Sequence, residues 1–272
     1  MTSLLTASRP FSGRVRQDVF AWQWNTWGTA LGAVVWAVCV AVAAGGWMRM
    51  GPAECLFLLA PLVTIPLGLR LVIDTHGQGI AGPLLRLTLI LQPAGALLAV
   101  VGFALPAGCW AGALAAGWLG ATACIGLCGL LGLLQGALPR LERVCLNLGL
   151  VYLPCGGLWF VASRLGLHPA GFQEPIVFFT AVHFHYVAFA GPLLAAMAGI
   201  ALRAVSGSRH KLFPLAAYCV MAAPALLAAG WALVSPLLKL AAAMALAAGL
   251  FSCLAACYLG LFLWHVWPQV RG

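Results

Sequence analysis

Long apolar runs separated by short polar segments dominate the chain. Each run has about 20 or more residues, which is the length that a helix needs to cross a bilayer core about 30 Å thick. Lipid offers no hydrogen bonds to the backbone, so such segments must be helical. The sequence therefore predicts an all-α, polytopic transmembrane bundle. The eight predicted spans are 29–48, 53–73, 84–105, 108–135, 144–163, 175–202, 212–234 and 237–264.

These spans predict a single transmembrane domain over residues 29–264. A polar cytoplasmic leader is expected over residues 1–28, and a cytoplasmic tail over residues 265–272. The first apolar run is too long, and begins too late, for a cleaved signal peptide. We therefore interpret it as a retained helix.

Basic residues give the bundle a polarity. Cytoplasmic loops of membrane proteins carry an excess of Lys and Arg, and an even number of spans with both termini inside places most of the 14 basic residues there. Only Arg49, Arg164 and Lys239 fall on the other side. The cytoplasmic group consists of Arg9, Arg14, Arg16, Arg70, Arg86, Arg140, Arg143, Arg203, Arg209, Lys211 and Arg271.

Composition agrees with the apolar pattern. The chain is 64% hydrophobic and 7% charged, whereas a soluble domain is about half apolar and about a quarter charged. The net charge of +9 comes from scattered residues rather than from a dense block, so no nucleic acid is expected as a partner. The expected partner is the lipid bilayer, and other membrane subunits remain open.

Small residues and prolines indicate how the helices pack. The fourth span carries small residues at four-residue spacing, which allow close helix approach in lipid, and we expect this stripe to face protein. Gln92 precedes Pro93 in the third span, where its side chain is predicted to bond the carbonyl that the proline leaves free. The stripe consists of Gly112, Ala116, Gly120, Cys124, Cys128, Gly132 and Gly136.

The sixth span contains the residues that most clearly suggest chemistry, His183 and His185. Ionisable residues inside a membrane span are expensive and are candidates for function. Residues two positions apart in a helix are separated by about 200° of rotation, so the two histidines should point to nearly opposite faces. Thr180 and Tyr186 lie three residues before and after His183, which makes that face polar for about two turns.

The string His183-Phe184-His185-Tyr186-Val187 resembles the tenth helix of the haem-copper oxidase catalytic subunit. The resemblance implies that His183 and His185 are axial ligands of two haems. No other histidine lies inside a predicted span. A copper centre of the type found in that family therefore cannot be assembled.

The longer stretch from Phe179 through His183 and His185 to Gly191 and Pro192 is similar to the YndJ-like family of bacterial integral membrane proteins. This resemblance implies a many-span protein of the bacterial cytoplasmic (inner) membrane. It implies no reaction.

Two carboxylates complete the candidate site. Glu54 begins the second span and Glu174 precedes the sixth, on the same outer side as His183 and His185. Such a group could bind haem or a transition metal, or it could relay protons or handle a transported substrate. In a third interpretation the histidines only fix helix packing in a non-catalytic assembly or sensory component. No motif of a known catalytic centre is present, so whether the protein is an enzyme stays open.

Overall fold

The protein is described by a computed structural model over residues 12–48, 50–76, 82–134, 140–206 and 212–265. This part of the chain forms eight helices and no strand. The helices are α1 (Ser12–Ala44), α2 (residues 52–76), α3 (Gly82–Ala104), α4 (Cys109–Leu134), α5 (Leu141–Leu165), α6 (residues 176–206), α7 (Leu212–Ala232) and α8 (Pro236–His265).

Seven of these helices contain a stretch long and apolar enough to cross a membrane. The predicted all-α, polytopic bundle is therefore confirmed. The eighth predicted span coincides with α8, whose described side chains form an apolar stretch over Pro236–Phe251. The seven stretches are Thr26–Ala44, Pro52–Val72, Pro83–Ala104, Cys109–Leu134, Leu141–Leu165, Ile176–Arg203 and Phe213–Ala232.

The predicted leader and the predicted tail fall partly outside the described residues. Helix α1 begins at Ser12, well before its apolar stretch starts at Thr26. The predicted leader therefore includes helical backbone in its second half. Residues 1–11 and 266–272, which make up the rest of the leader and nearly all of the tail, are not described.

Two prolines change the hydrogen bonding of α2. The helix consists of Pro52–Leu59, a π-helical turn at Ala60–Thr64, and Ile65–His76. Within the π-helical turn the N–H of Ile65 bonds to the carbonyl of Ala60, five residues back. The next carbonyl, that of Pro61, would take its bond from residue 66, which is a proline and has no N–H.

Gln92 of α3 supplies the missing donor. Its Nε2 donates to the carbonyl oxygen of Pro61 at 2.6 Å. The prediction that Gln92 bonds the carbonyl freed by its neighbour Pro93 is therefore wrong. The side-chain amide of Gln92 bonds to α2 and not to its own helix, because α3 packs beside the π-helical turn of α2.

The centre of the bundle lies between α2, α4, α5 and α6. The largest fully buried side chains include Phe57, Trp118, Phe160 and Phe189, one from each of these helices. Helix α4 packs most extensively on α5 and also on α3, while α7 and α8 pair with each other.

The small-residue stripe of α4 does not face protein along its whole length. Gly112 and Cys128 are buried, but Ala116 and Gly120 are exposed on the outside of the bundle. Successive residues in an α-helix are rotated by about 100°, so a four-residue spacing drifts about 40° at each step and winds around the helix. The expectation was therefore wrong for the middle of the stripe. Gly136 lies outside the described residues.

Candidate functional site

His185 is completely buried, and both of its ring nitrogens are hydrogen-bonded. The indole Nε1–H of Trp118, on α4, donates to Nε2 of His185 at 2.9 Å. Indole is a donor only, so Nδ1 must carry the proton, and it donates to the carbonyl oxygen of Ala181 at 2.7 Å. The ring is a neutral packing group with no free lone pair for haem iron or another metal.

A glycine on α5 makes room for this ring. A Cβ added at Gly156 would lie 2.6 Å from Nδ1 of His185, which is closer than real Cβ atoms approach. On another side, Phe57 packs edge-on against the imidazole, with ring centroids 4.8 Å apart. Four helices therefore enclose one side chain.

His183 has a different environment. Its side chain is half-buried, its ring packs edge-on against Phe184, and its Nε2 is buried without a hydrogen-bond partner. Among the described residues, no group of three or more His, Cys, Asp or Glu side chains could hold a metal ion. Haem or metal binding by His183 and His185 stays a prediction for both residues.

Thr180 and Tyr186 are both bonded to backbone carbonyls. The hydroxyl of Thr180 donates to Ile176, one turn back in its own helix, at 2.8 Å. The hydroxyl of Tyr186 donates across to the carbonyl of Leu56 at 2.5 Å. The N–H of Ala60 bonds to Phe57 rather than to Leu56, which leaves the Leu56 carbonyl open to Tyr186. Tyr186 therefore connects α6 to α2, whereas Thr180 bonds within α6.

Glu54 and Glu174 each cap the start of a helix. One carboxylate oxygen of Glu54 accepts the N–H of Gly51 at 2.9 Å, and one of Glu174 accepts the N–H of Phe178 at 3.1 Å. Carboxylates are favourable at this end of a helix because the unpaired N–H groups carry partial positive charge. Both residues therefore have a local structural reason for their positions.

Arg164 lies within electrostatic range of both carboxylates. It lies in the last turn of α5, where its half-buried guanidinium is close enough to Glu174 and Glu54 for both to act on its charge. Its Nη2 donates to the carbonyl of Leu105 at 2.8 Å, and its Cζ lies 5.3 Å from the centre of the Phe103 ring. Its Nε is buried and has no partner among the residues that the structure describes.

Arg164, Glu54 and Glu174 together are called the outer charged cluster below. Arg164 is the member that the sequence did not identify as a site residue, because it entered only the tally of basic residues. The sequence did contain one indication. Arg164 is one of three basic residues predicted on the outer side, and it directly follows the predicted fifth span.

An aromatic cluster separates the outer charged cluster from His185. Phe57 stands at its centre, with its ring centroid 4.4 Å from that of Phe160, 5.7 Å from that of Phe103 and 5.5 Å from that of Phe178. Arg164 covers Phe103 on one side, and His185 contacts Phe57 on the other. The four phenylalanines fill the space between them.

The predicted site residues therefore do not form one centre. Glu54 and Glu174 lie within electrostatic range of Arg164, whereas His185 lies beyond the aromatic cluster with Trp118 as its partner. Toward the other end of α5, the sequence analysis also missed an ion pair between Glu142 and Arg203. Glu142 is buried and its second oxygen has no partner.

Comparison with known proteins gives two matches. A sequence model of the family described as "YndJ-like protein" matches residues 55–265. The "Uncharacterized membrane protein YndJ" of Bacillus subtilis (strain 168) is 33% identical over 102 residues. That match covers 37% of this chain and 18% of the relative, so the chain aligns with less than a fifth of that protein's length. No solved structure matches.

Proposed function

Since the chain belongs to the YndJ-like protein family, and is a multi-pass membrane protein, we propose that it is a proton-linked transport protein of the bacterial cytoplasmic membrane. In this proposal both termini are cytoplasmic, and the outer charged cluster opens to the extracytoplasmic side. The carboxylates of Glu54 and Glu174 take up and release protons there, and Arg164 provides the counter-charge.

The half-buried guanidinium of Arg164 is the observation that carries the proposal. A charged side chain in a membrane helix is costly, and such residues commonly mark solute, ion or proton pathways. Arg164 is within electrostatic range of two carboxylates but forms no direct ion pair with either in the described part of the chain.

The aromatic cluster fits a transport protein in a closed state. Four packed phenylalanine rings lie between Arg164 and His185 in the described part of the chain. A solute or a hydrated proton would need the helices to move before it could pass. This arrangement favours an alternating-access protein over an open pore.

Haem or metal chemistry is less well supported. The two hydrogen bonds of His185 satisfy both ring nitrogens, and replacing the Trp118 bond by a metal would leave a buried indole N–H unpaired. Nε2 of His183 is buried and has no hydrogen-bond partner among the described residues. In the proposal it is a secondary proton acceptor.

The test is charge movement after an acid step. Proteoliposomes are adsorbed on a solid-supported electrode, and the outer buffer is changed from neutral to acidic. We expect a transient current above that of protein-free liposomes. The double variant Glu54→Gln/Glu174→Gln should lose it, because amides cannot take up the protons.

Size-exclusion chromatography and the unfolding temperature show whether the double variant is folded. A current equal to that of protein-free liposomes would overturn the proposal. So would a folded double variant with an unchanged current.

A further inference from the structure

We infer that the inner half of α5, residues 141–153, is a gate that turns about Pro154 and opens a water-filled entrance on the cytoplasmic side. The inference rests on the proposed function, since an alternating-access protein needs such an entrance, and the side on which it opens follows from the orientation proposed there. Three features of the helix support it. These are polar atoms without partners, an ion pair of unequal exposure, and a proline where the gate joins the rest of α5.

Three buried polar atoms without partners lie in the inner half of α5. Asn147 is completely buried, and neither its Oδ1 nor its Nδ2 has a hydrogen-bond partner among the described residues. Oε2 of Glu142 is buried and unpartnered in the same part of the chain. Such atoms are rare in native structures, because each one costs free energy. Water that enters beside α5 would supply the missing bonds and so stabilise an open state.

The two side chains face different neighbouring helices. Gly132 of α4 lies against Asn147, since a Cβ added at Gly132 would lie 2.4 Å from Oδ1 of the asparagine. Gly199 of α6 lies against Glu142, since a Cβ added at Gly199 would lie 2.7 Å from Cγ of the glutamate. One movement hydrates both side chains only if the segment that carries both of them moves. The moving element is therefore α5, not α4 or α6.

An ion pair holds the end of the gate against α6. Arg203, in the last turn of α6, donates from both Nε and Nη2 to the same oxygen of Glu142, with the Nε bond at 3.1 Å. The side chain of Arg203 is 44% exposed, whereas that of Glu142 is 6% exposed. Water therefore reaches the arginine in the closed state, but it reaches the carboxylate only when the ends of α5 and α6 separate.

Pro154 provides the hinge. Proline has no N–H to donate to the carbonyl of Leu150, and helices kink at such a position. On α4, a Cβ added at Gly126 would lie 2.4 Å from Cγ of Pro154, and one added at Gly129 would lie 2.5 Å from the carbonyl oxygen of Asn147. At these contacts α5 rests on the backbone of α4, so no interlocked side chain has to be withdrawn when α5 tilts.

Cys145 can report the opening of the gate. It is completely buried and lies three residues after Glu142. Cys39 is also buried, but it lies on α1, which packs against α2 and α3. The full chain in liposomes is treated with N-ethylmaleimide, a small permeant thiol reagent, and peptide mass spectrometry gives the labelling rate of each cysteine. Opening of the gate raises only the rate of Cys145, whereas unfolding raises both rates.

Arg203→Gln should raise the labelling rate of Cys145 at least about tenfold and leave that of Cys39 unchanged, because a charge-assisted bond that holds the gate is lost. Arg203→Lys retains the charge and should retain most of the protection. The matched control is Arg143→Gln, an exposed position of the same segment, which should change neither rate.

Pro154→Ala tests the hinge separately from the ion pair. Alanine gives position 154 an N–H for the carbonyl of Leu150, which stiffens α5. The labelling rate of Cys145 should therefore fall, both in the otherwise unchanged protein and in Arg203→Gln. The measurement in the otherwise unchanged protein decides the outcome if Arg203→Gln does not fold.

In folded Arg203→Gln, an unchanged Cys145 rate or equal increases at both cysteines would overturn the inference. An unchanged Cys145 rate in Pro154→Ala would do the same. The acid-step current separates the gate from the proposed function. If the current is present and the Cys145 rate does not respond, only the gate is wrong. If the Cys145 rate responds as expected and the current is absent, α5 moves but the proposed function fails.

Discussion

The two histidines of the sixth span show how a residue's role depends on its partners. His185 was a candidate ligand because an imidazole inside a membrane needs an explanation. The explanation is Trp118, which lies 67 positions earlier and donates to it. Residue type could be interpreted from the sequence, but this pairing could not, because it depends on which face of α4 meets α6.

Gly156 leaves the space that the His185 ring occupies, and we predict that filling this space destabilises the protein. A methyl group in Gly156→Ala would collide with the imidazole, which is enclosed and cannot move away. We expect a loss of about 1–3 kcal/mol in the free energy of unfolding, typical of overpacking. Unfolding in detergent, followed by circular dichroism, measures it.

Gly120→Ala is the matched control, because nothing lies within 4 Å of a Cβ at Gly120. It should be neutral or stabilise the helix by up to about 1 kcal/mol. Equal effects of the two substitutions would show that His185 is not tightly enclosed.

At the scale of elements, the sequence indicated where prolines free backbone carbonyls, but it did not indicate the consequences. The π-helical turn in α2 arises between Pro61 and Pro66, and its open carbonyl is satisfied by Gln92 from α3. Local sequence indicates that a carbonyl is freed. Only the packing of α3 on α2 determines which side chain reaches it.

The role of Gln92 predicts a coupling between two helices. Gln92→Leu leaves the Pro61 carbonyl buried without a donor and should cost about 1–3 kcal/mol in the free energy of unfolding. In a Pro66→Ala background, residue 66 has an N–H that can donate to the Pro61 carbonyl. Gln92→Leu should then lower the free energy of unfolding by clearly less. A double-mutant cycle measures the difference. Equal costs in both backgrounds would refute the assignment.

At the scale of the whole molecule, the sequence predicted the bundle and a polarity for it. An apolar run predicts a helix in lipid whichever helices pack against it. The fold class could therefore be predicted from the sequence. Only part of the outer charged cluster could be predicted from the sequence. Glu54 and Glu174 were recognised at two helix starts, but the packing of the helices, which the sequence does not give, determines that Arg164 lies within electrostatic range of both.

The proposed orientation predicts the reactivity of a native cysteine. Cys109 is exposed at the start of α4, on the same predicted side as Glu54 and Glu174. A membrane-impermeant maleimide should label it in intact cells, and Cys109→Ser should remove most of that label. Cys155 is also exposed but lies in the middle of α5, where lipid excludes the reagent. Labelling of Cys109 only after permeabilisation would reverse the orientation.

The central claim is that the outer charged cluster acts as a unit built on Arg164. Its most direct test is the acid-step current of proteoliposomes containing Arg164→Gln, compared with Arg140→Gln on the same helix. The account predicts a current strongly reduced by the first substitution, which removes the counter-charge, and unchanged by the second. Equal currents from two folded variants would contradict it.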